Sequence, residues 1–204
     1  MPDLSLETRL AHDGHRCIAG IDEVGRGPLA GPVVAAAVVL DPLSVPDGLD
    51  DSKMLKGRVR EDLAGRLRRV AHVGVGIATV EEIDEINILQ ASFLAMRRAI
   101  GALPVHPDYL LVDGNRLPAD LPCPARPVIR GDSLSSSIAA ASIVAKVTRD
   151  AGMVDLAQQY PGYGWDRNMG YGTRDHMLGL KCHGVTPHHR RSFAPIRKML
   201  YQEK

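Results

Sequence analysis

The feature that most constrains this chain is an apolar run that ends abruptly in two adjacent carboxylates and a glycine-rich turn. Residues 17–21, Cys-Ile-Ala-Gly-Ile, have the length and the β-branched content of a buried strand. Asp22 and Glu23 follow directly. Because successive side chains of a strand point to opposite faces, the two acids share a face only if the strand ends or bulges there. A carboxylate beside an apolar run must be desolvated or paired, so the pattern predicts either a divalent-cation site or a surface turn with two solvated acids.

Composition and charge limit the class of protein. With 204 residues and a net charge of +1, the chain can bury one large core, and any surface for nucleic acid must be local. Three widely spaced cysteines, Cys17, Cys123 and Cys182, form no C-x-x-C motif and predict reduced thiols in the cytoplasm. The polar N-terminus is unlike a signal peptide, and the longest apolar run, Pro28–Leu40, is too short to span a bilayer. We therefore expect a soluble cytoplasmic protein without membrane contact, acting as a monomer.

Hydrophobic periodicity predicts an α/β protein. Strands are predicted at 17–22, 32–40, 73–79, 109–113 and 127–130, the second as an antiparallel neighbour of the first. Helices are predicted at 56–70, at about 80–100 behind a capping box of Thr79 and Glu82, at about 136–160, at 173–183 and from Pro195. One helical turn is expected within the first sixteen residues, and 161–172 is expected to be a loop. This order of elements predicts a mixed sheet covered on both faces.

Three predicted strands end at or near carboxylates, which are Asp22 with Glu23, Asp113 and Asp132. Active sites of α/β sheets commonly lie beyond strand ends, and acids that converge there repel one another unless cations hold them. Four such carboxylates suit a two-metal site for phosphodiester chemistry. The alternative is local: Asp113 opens an Asp-Gly turn and Asp132 caps a helix.

Several motifs stand in the order found in one family. They are IDEVGRGPLAGPVVAAAVVL at 21–40, DSK at 51–53, LLVDGNR at 110–116, GDS at 131–133, IAAASIVAKVTRD at 138–150, YPGYGW at 160–165, NMGYGT at 168–173 and HHRRSF at 188–193. The sequence from about residue 18 to 196 thereby resembles bacterial ribonuclease HII, a type 2 ribonuclease H. The resemblance implies a ribonuclease H-like fold, with a mixed five-stranded sheet flanked by helices and a small helical C-terminal extension.

The resemblance also implies an activity and its cofactor. It implies an endonuclease that hydrolyses the RNA strand of RNA–DNA hybrids and nicks duplex DNA at embedded ribonucleotides, leaving a 5′-phosphate. The positions that match the family's metal ligands are Asp22, Glu23, Asp113 and Asp132, which would hold two Mn²⁺ or Mg²⁺ ions. We expect a lead-in at 1–16, a catalytic domain at 17–160 and, at 161–204, a loop and helices that complete the substrate groove.

The matched motifs further imply residues that bind the substrate. Gly25, Arg26 and Gly27 match the turn that senses the ribose 2′-hydroxyl, the group that separates RNA from DNA. Tyr160 matches a tyrosine that packs on the next sugar. Without that match, a core aromatic at a helix end explains it equally well.

Basic residues in the matched motifs are candidates for phosphate contacts. These are Lys53 in DSK and Arg190 with Arg191 in HHRRSF, whereas for Lys146 a solvated surface charge is the better interpretation. Asp150 is assigned a supporting place near the acids.

The chain departs from the family where cations are usual. Met169 stands in NMGYGT, Met54 follows DSK, and Leu134 lies near a position that often carries lysine after GD. These losses affect the expected phosphate path and leave the acids untouched.

Other functions fit the sequence less well than a nuclease does. A non-catalytic binder of hybrid duplexes would gain nothing from concentrated negative charge that faces phosphates. A phosphatase of small nucleotides has no use for the basic C-terminal segment. A zinc site of Cys182, His183, His188 and His189 fits no standard spacing, and adjacent histidines would strain a tetrahedral site.

Overall fold

The computed structural model describes residues 1–201 and has one five-stranded sheet. The central strand β1 pairs antiparallel with β2 and parallel with β4, and the strand order is β3-β2-β1-β4-β5. The predicted mixed sheet and the antiparallel pairing of the first two strands are confirmed. The strands are β1 Ile18–Val24, β2 Val33–Val39, β3 His72–Ala78, β4 Tyr109–Asp113 and β5 Ala125–Val128.

Helices cover both faces of the sheet. They are α1 Ser5–His12, α2 Gly57–Val70, α3 Val80–Gly101, α4 Ser136–Gln159, α5 Trp165–Asn168, α6 Arg174–His183 and α7 Ala194–Tyr201. Residues of α3 form a core with one face of β1 and β2, and residues of α2 and α4 form a second core on the opposite face. A third apolar cluster, around Trp165 and Tyr163, joins the C-terminal helices to the end of α4. The capping box of Thr79 and Glu82 begins α3 as predicted.

The first strand is longer than its apolar run. Its register with β2 continues without a bulge through the pair Val24↔Val34, so Asp22 and Glu23 both lie within the strand. The side chains of neighbouring strand residues alternate, and these two acids therefore project to opposite faces of the strand end. Backbone pairing with β2, which the apolar run does not reveal, extends β1 by two residues.

Three further differences have local causes. The last strand, Ala125–Val128, begins two residues before the predicted one, because its register with β4 starts at Leu110↔Ala125. Arg130 has a left-handed backbone conformation, φ 56°, which ends the extended path of the strand. Asp132 therefore lies in a 3-10 turn, Gly131–Ser133. The segment predicted as a loop at 161–172 contains the short helix α5.

The N-terminal helix is tied to the start of α4. Glu7 is buried, and its Oε1 accepts hydrogen bonds from the hydroxyls of Ser135 and Ser137 at 2.5 and 2.6 Å. Leu10 packs in an apolar cluster with Ile138. A carboxylate at a helix N-terminus stabilises it through the helix dipole. The lead-in thus supports the helix that follows the Asp132 turn, and the predicted domain division at 16 and 160 stays a prediction.

Candidate active site

The four acids lie at one end of the central strands. In the parallel pairing of β1 with β4, Ile21 stands opposite Val112, which places Asp22 and Asp113 at the same level of neighbouring strands. Asp132 is brought beside them by its 3-10 turn, because the amide of Gly131 donates to Asp113 Oδ1 at 2.7 Å. Asp22 and Asp132 are each only 7% exposed. We call Asp22, Glu23, Asp113 and Asp132 the acid cluster.

Burial, together with neighbouring carboxylates, raises the pKa of Asp22, Glu23 and Asp113. Burial raises the pKa of Asp22 well above its ordinary value, and the charges of Glu23, Asp113 and Asp132 raise it further. Burial also raises the pKa of Glu23, and this effect outweighs the lowering caused by the charge of Arg26. For Asp113, burial raises the pKa and the hydrogen bond from Gly131 opposes it. The cluster therefore holds more negative charge than its protein surroundings compensate.

Two exposed cations partly compensate this charge. Arg26 Nη1 lies 3.0 Å from Glu23 Oε1, and Lys53 Nζ lies 3.3 Å from Asp132 Oδ2. The side chain of Lys53 is 76% exposed, so such a pair contributes little stability. Among residues 1–201, no three His, Cys, Asp or Glu side chains already stand in positions that could hold one metal ion.

The turn Gly25–Gly27 leaves β1 directly beside the acids. Gly25 has φ +94°, and a Cβ there would lie 2.2 Å from Arg149 Nε, so this position excludes any side chain. Gly27 is exposed, and a Cβ there would lie 3.4 Å from Tyr171 Cε1.

The structure differs from the prediction for Arg190, which was expected to contact phosphate. Its side chain is fully buried and donates to the carbonyls of Gly25, Arg26, Gly31 and Pro32. Burial and the neighbouring charge of Arg149 lower the pKa of Arg190 to about 9, so it remains a cation at neutral pH. In this position Arg190 supports the turn from inside and reaches no external phosphate.

Arg191, the next residue, is exposed, and its amide donates to Asp84 Oδ2 at 2.9 Å. Lys146 and Asp150 pair with each other at 2.8 Å along α4. That ion pair engages Asp150 in α4, and the supporting place near the acids stays a prediction.

Two tyrosines differ in what they offer a ligand. Tyr160 is half-buried in the C-terminal apolar cluster, with its ring edge-on to His188 at 4.8 Å between centroids. Tyr171 is 45% exposed and lies beside Gly27, as the 3.4 Å approach shows. Sequence reasoning missed Tyr171, although its motif NMGYGT was identified. No local signal distinguishes it, since Tyr163 also stands between two glycines and is buried.

His189, one of the four residues of the zinc alternative, is buried beside His176. Trp165 Nε1 donates to His176 Nε2 at 3.1 Å, and that nitrogen also lies 3.0 Å from His189 Nε2. Because the amide of Thr186 donates to His189 Nδ1, the Nε2 of His189 must carry the proton and donate to His176. Both rings, which we call the histidine pair, are neutral, and burial lowers the pKa of His189 to about 4.

The three positions that lack the usual cations have different surroundings. Met54 and Leu134 are 75% and 51% exposed. Met169 has a left-handed backbone, φ 49°, and its side chain packs on the C-terminal apolar cluster. A lysine at 54 or 134 would meet solvent, whereas one at 169 would have to leave that cluster.

A five-stranded mixed sheet with carboxylates gathered at the end of its central strands defines a nuclease of the ribonuclease H-like class. Comparison with known proteins agrees, since the sequence model of Ribonuclease HII matches residues 19–196. The chain belongs to the ribonuclease HII family. The predicted endoribonuclease of RNA–DNA hybrids is thereby confirmed, and a non-catalytic binder is not favoured.

Individual relatives extend over nearly the whole chain. Ribonuclease HII of Ruegeria pomeroyi is 63% identical over 202 residues, which are 99% of this chain and 86% of that protein. Among solved structures, ribonuclease H2 of Pyrococcus horikoshii is 28% identical with a TM-score of 0.74, covering 92% of this chain and 98% of that one. Ribonuclease HII of Archaeoglobus fulgidus, solved in complex with PCNA, is 26% identical with a TM-score of 0.72 and covers 86% and 94%. No helix within residues 1–201 is long and apolar enough to cross a membrane.

Proposed function

We propose that this chain nicks duplex DNA at embedded ribonucleotides as well as cutting the RNA strand of hybrids, with divalent cations held by the acid cluster. The observation that carries the proposal is the gathering of four carboxylates, three of them with raised pKa values, beside a glycine turn. Oxygen-only donors fit hard ions such as Mg²⁺ or Mn²⁺. A cation there would also remove the repulsion that raises these pKa values.

The residues that would hold the ions are Asp22, Glu23, Asp113 and Asp132. When bound, two divalent ions supply an activated water and neutralise charge at a phosphodiester, the chemistry that leaves a 5′-phosphate. The chain's own part is positional. Rigid strands fix Asp22 and Asp113, and the bond from Gly131 to Asp113 fixes the turn that carries Asp132.

The substrate is proposed to lie across the turn Gly25–Gly27. Backbone groups of the turn would meet the 2′-hydroxyl, and the exposed ring of Tyr171 supports a role for it against a neighbouring sugar, in competition with Tyr160. Lys53 and Arg191 are exposed and are proposed to contact phosphates. We propose that 161–204 completes this groove, and monomeric action in the cytoplasm remains a prediction.

Cleavage of matched duplexes tests the proposal. A duplex with one ribonucleotide, a continuous hybrid and an all-DNA duplex would be incubated with Mg²⁺, with Mn²⁺ or with a chelator, and the product ends identified. We expect metal-dependent cuts of the first two, 5′-phosphate ends, and an intact all-DNA duplex. Cleavage of the hybrid alone would contradict the junction activity, and cleavage in chelator would contradict the metal site.

A further inference from the structure

Two fully buried arginines lie under the turn Gly25–Gly27. Arg149 on α4 and Arg190 before α7 are 1% and 0% exposed, and we call them the arginine pair. Within residues 1–201, neither side chain has an acidic partner within salt-bridge distance. Burying one unpaired charge is costly, and a second like charge beside it raises the cost. Such an arrangement calls for a reason other than packing.

Both guanidinium groups of the arginine pair donate hydrogen bonds to backbone carbonyls. Arg190 donates to the carbonyls of Gly25 at 2.5 Å, Arg26 at 3.0 Å, Gly31 at 2.9 Å and Pro32 at 3.2 Å. Arg149 donates to those of Pro32 at 3.0 Å, Ala30 at 3.1 Å and Met169 at 3.0 Å. Five carbonyls between residues 25 and 32 are thereby turned toward the protein interior.

Because peptide groups are planar, the direction of these carbonyls also fixes the direction of the N–H groups that follow them. In a trans peptide the carbonyl of one residue and the N–H of the next point in opposite directions. With the carbonyls of Gly25 and Arg26 drawn inward by Arg190, the N–H groups of Arg26 and Gly27 point outward. Within residues 1–201 these two amides donate to no protein acceptor. They are two adjacent donors, aimed away from the core, next to the acid cluster.

We infer that Arg190 is a positioning residue for substrate selection: it fixes two peptide planes so that the amides of Arg26 and Gly27 face a ribonucleotide oxygen. This inference rests on the proposed function. Arg149 supports the same turn and, through the Met169 carbonyl, links it to the segment that carries Tyr171. A lysine would replace Arg190 only in part, because one ammonium cannot reproduce the planar fork that serves several carbonyls.

The test compares two affinities in each variant. Binding of a duplex with one ribonucleotide and of its all-DNA counterpart would be measured without a metal that supports cleavage, for wild type, Arg190→Met and Arg190→Lys. We expect Arg190→Met to reduce the preference for the ribonucleotide by about tenfold or more, the scale of one or two lost hydrogen bonds, with all-DNA affinity little changed. Arg190→Lys should lie between the two.

Leu67→Ala is the matched control for lost stability. Leu67 is fully buried in the core of α2 and α4, away from the turn, so this variant should lose stability and keep the preference. If Arg190→Met keeps the wild-type preference, the inference is overturned while the proposed function stands. If wild type itself shows no binding preference, the inference is overturned, and the cleavage assays decide the proposed function separately. Should Arg190→Met not fold, an undiminished preference in Arg190→Lys overturns the inference in its place.

Discussion

The acid cluster and the arginine pair treat buried charge in opposite ways. The acids repel one another, three of them have raised pKa values, and the cations paired with them, Arg26 and Lys53, are exposed. The arginine pair is more deeply buried, yet its donors find carbonyls of residues 25–32 and of Met169. The acids can therefore accept a further ion, whereas the arginines have a completed set of partners. One region is built to bind a cation and the other to hold a shape.

Removing one acid should produce the largest effect. It tests whether the acid cluster is built to bind a cation. Asp22→Asn or Asp113→Asn should lower turnover by more than about a hundredfold, because even outer partners of metal ligands are worth about 10- to 100-fold. Folding should survive, and the melting temperature should be equal or higher, since a desolvated charge is lost. Cleavage assays at saturating metal and thermal unfolding check both parts. Asp166→Asn, at an exposed position, is the control, and near wild-type turnover in either variant would refute the assignment.

The histidine pair should make stability depend on pH. The folded chain keeps His189 neutral down to about pH 4, whereas the unfolded chain protonates near 6.5. The contribution of His189 to the free energy of unfolding is complete above pH 6.5. It falls by about 3 kcal/mol in all as the pH drops toward 4.

Denaturant unfolding between pH 4 and 7 measures this dependence. His189→Gln, which can still donate and accept, should flatten the slope, and His106→Gln, at an exposed site, should leave it as in wild type. Because the raised pKa values of Asp22, Glu23 and Asp113 also make stability depend on pH, variants are compared with wild type at each pH. Parallel slopes for wild type and His189→Gln would show that His189 does not carry this dependence.

The smallest effect should separate the two tyrosines. Tyr171→Ala should slow cleavage at a single ribonucleotide by about ten- to hundredfold relative to a continuous hybrid, on the scale of a lost stacking contact. Tyr160→Ala should affect both substrates alike, because its ring packs on Trp165 and His188. Parallel rates on the two duplexes decide between them, and a selective loss in Tyr160→Ala would restore the original prediction.

Much of the fold was accessible from the sequence because its signals are local. The apolar runs gave the strands, and Thr79 with Glu82 marked the start of α3. The misplaced boundaries depend on partners distant in sequence. Val24 belongs to β1 only because Val34 pairs with it, and β5 starts where β4 allows it to start.

The sequence predicts which residue types form the site, but it does not predict which of these side chains are buried. Several carboxylates that converge at strand ends favour a cation, because they repel one another without it. Arg190 and Arg191 are adjacent in sequence and equal in charge, yet one is fully buried and the other exposed. Nothing local distinguishes them, because the carbonyls that hold Arg190 belong to residues about 160 positions earlier.

That separation has a consequence for how the protein acquires its selectivity. The contact from Arg190 to Gly25 spans 165 positions, so the turn is synthesised well before the residue that braces it. Domains generally fold as units. The turn therefore has no brace until Arg190 has been added and the two distant segments fold together. Selectivity for the ribonucleotide would then arise only with this long-range contact, whatever local structure residues 25–27 adopt beforehand.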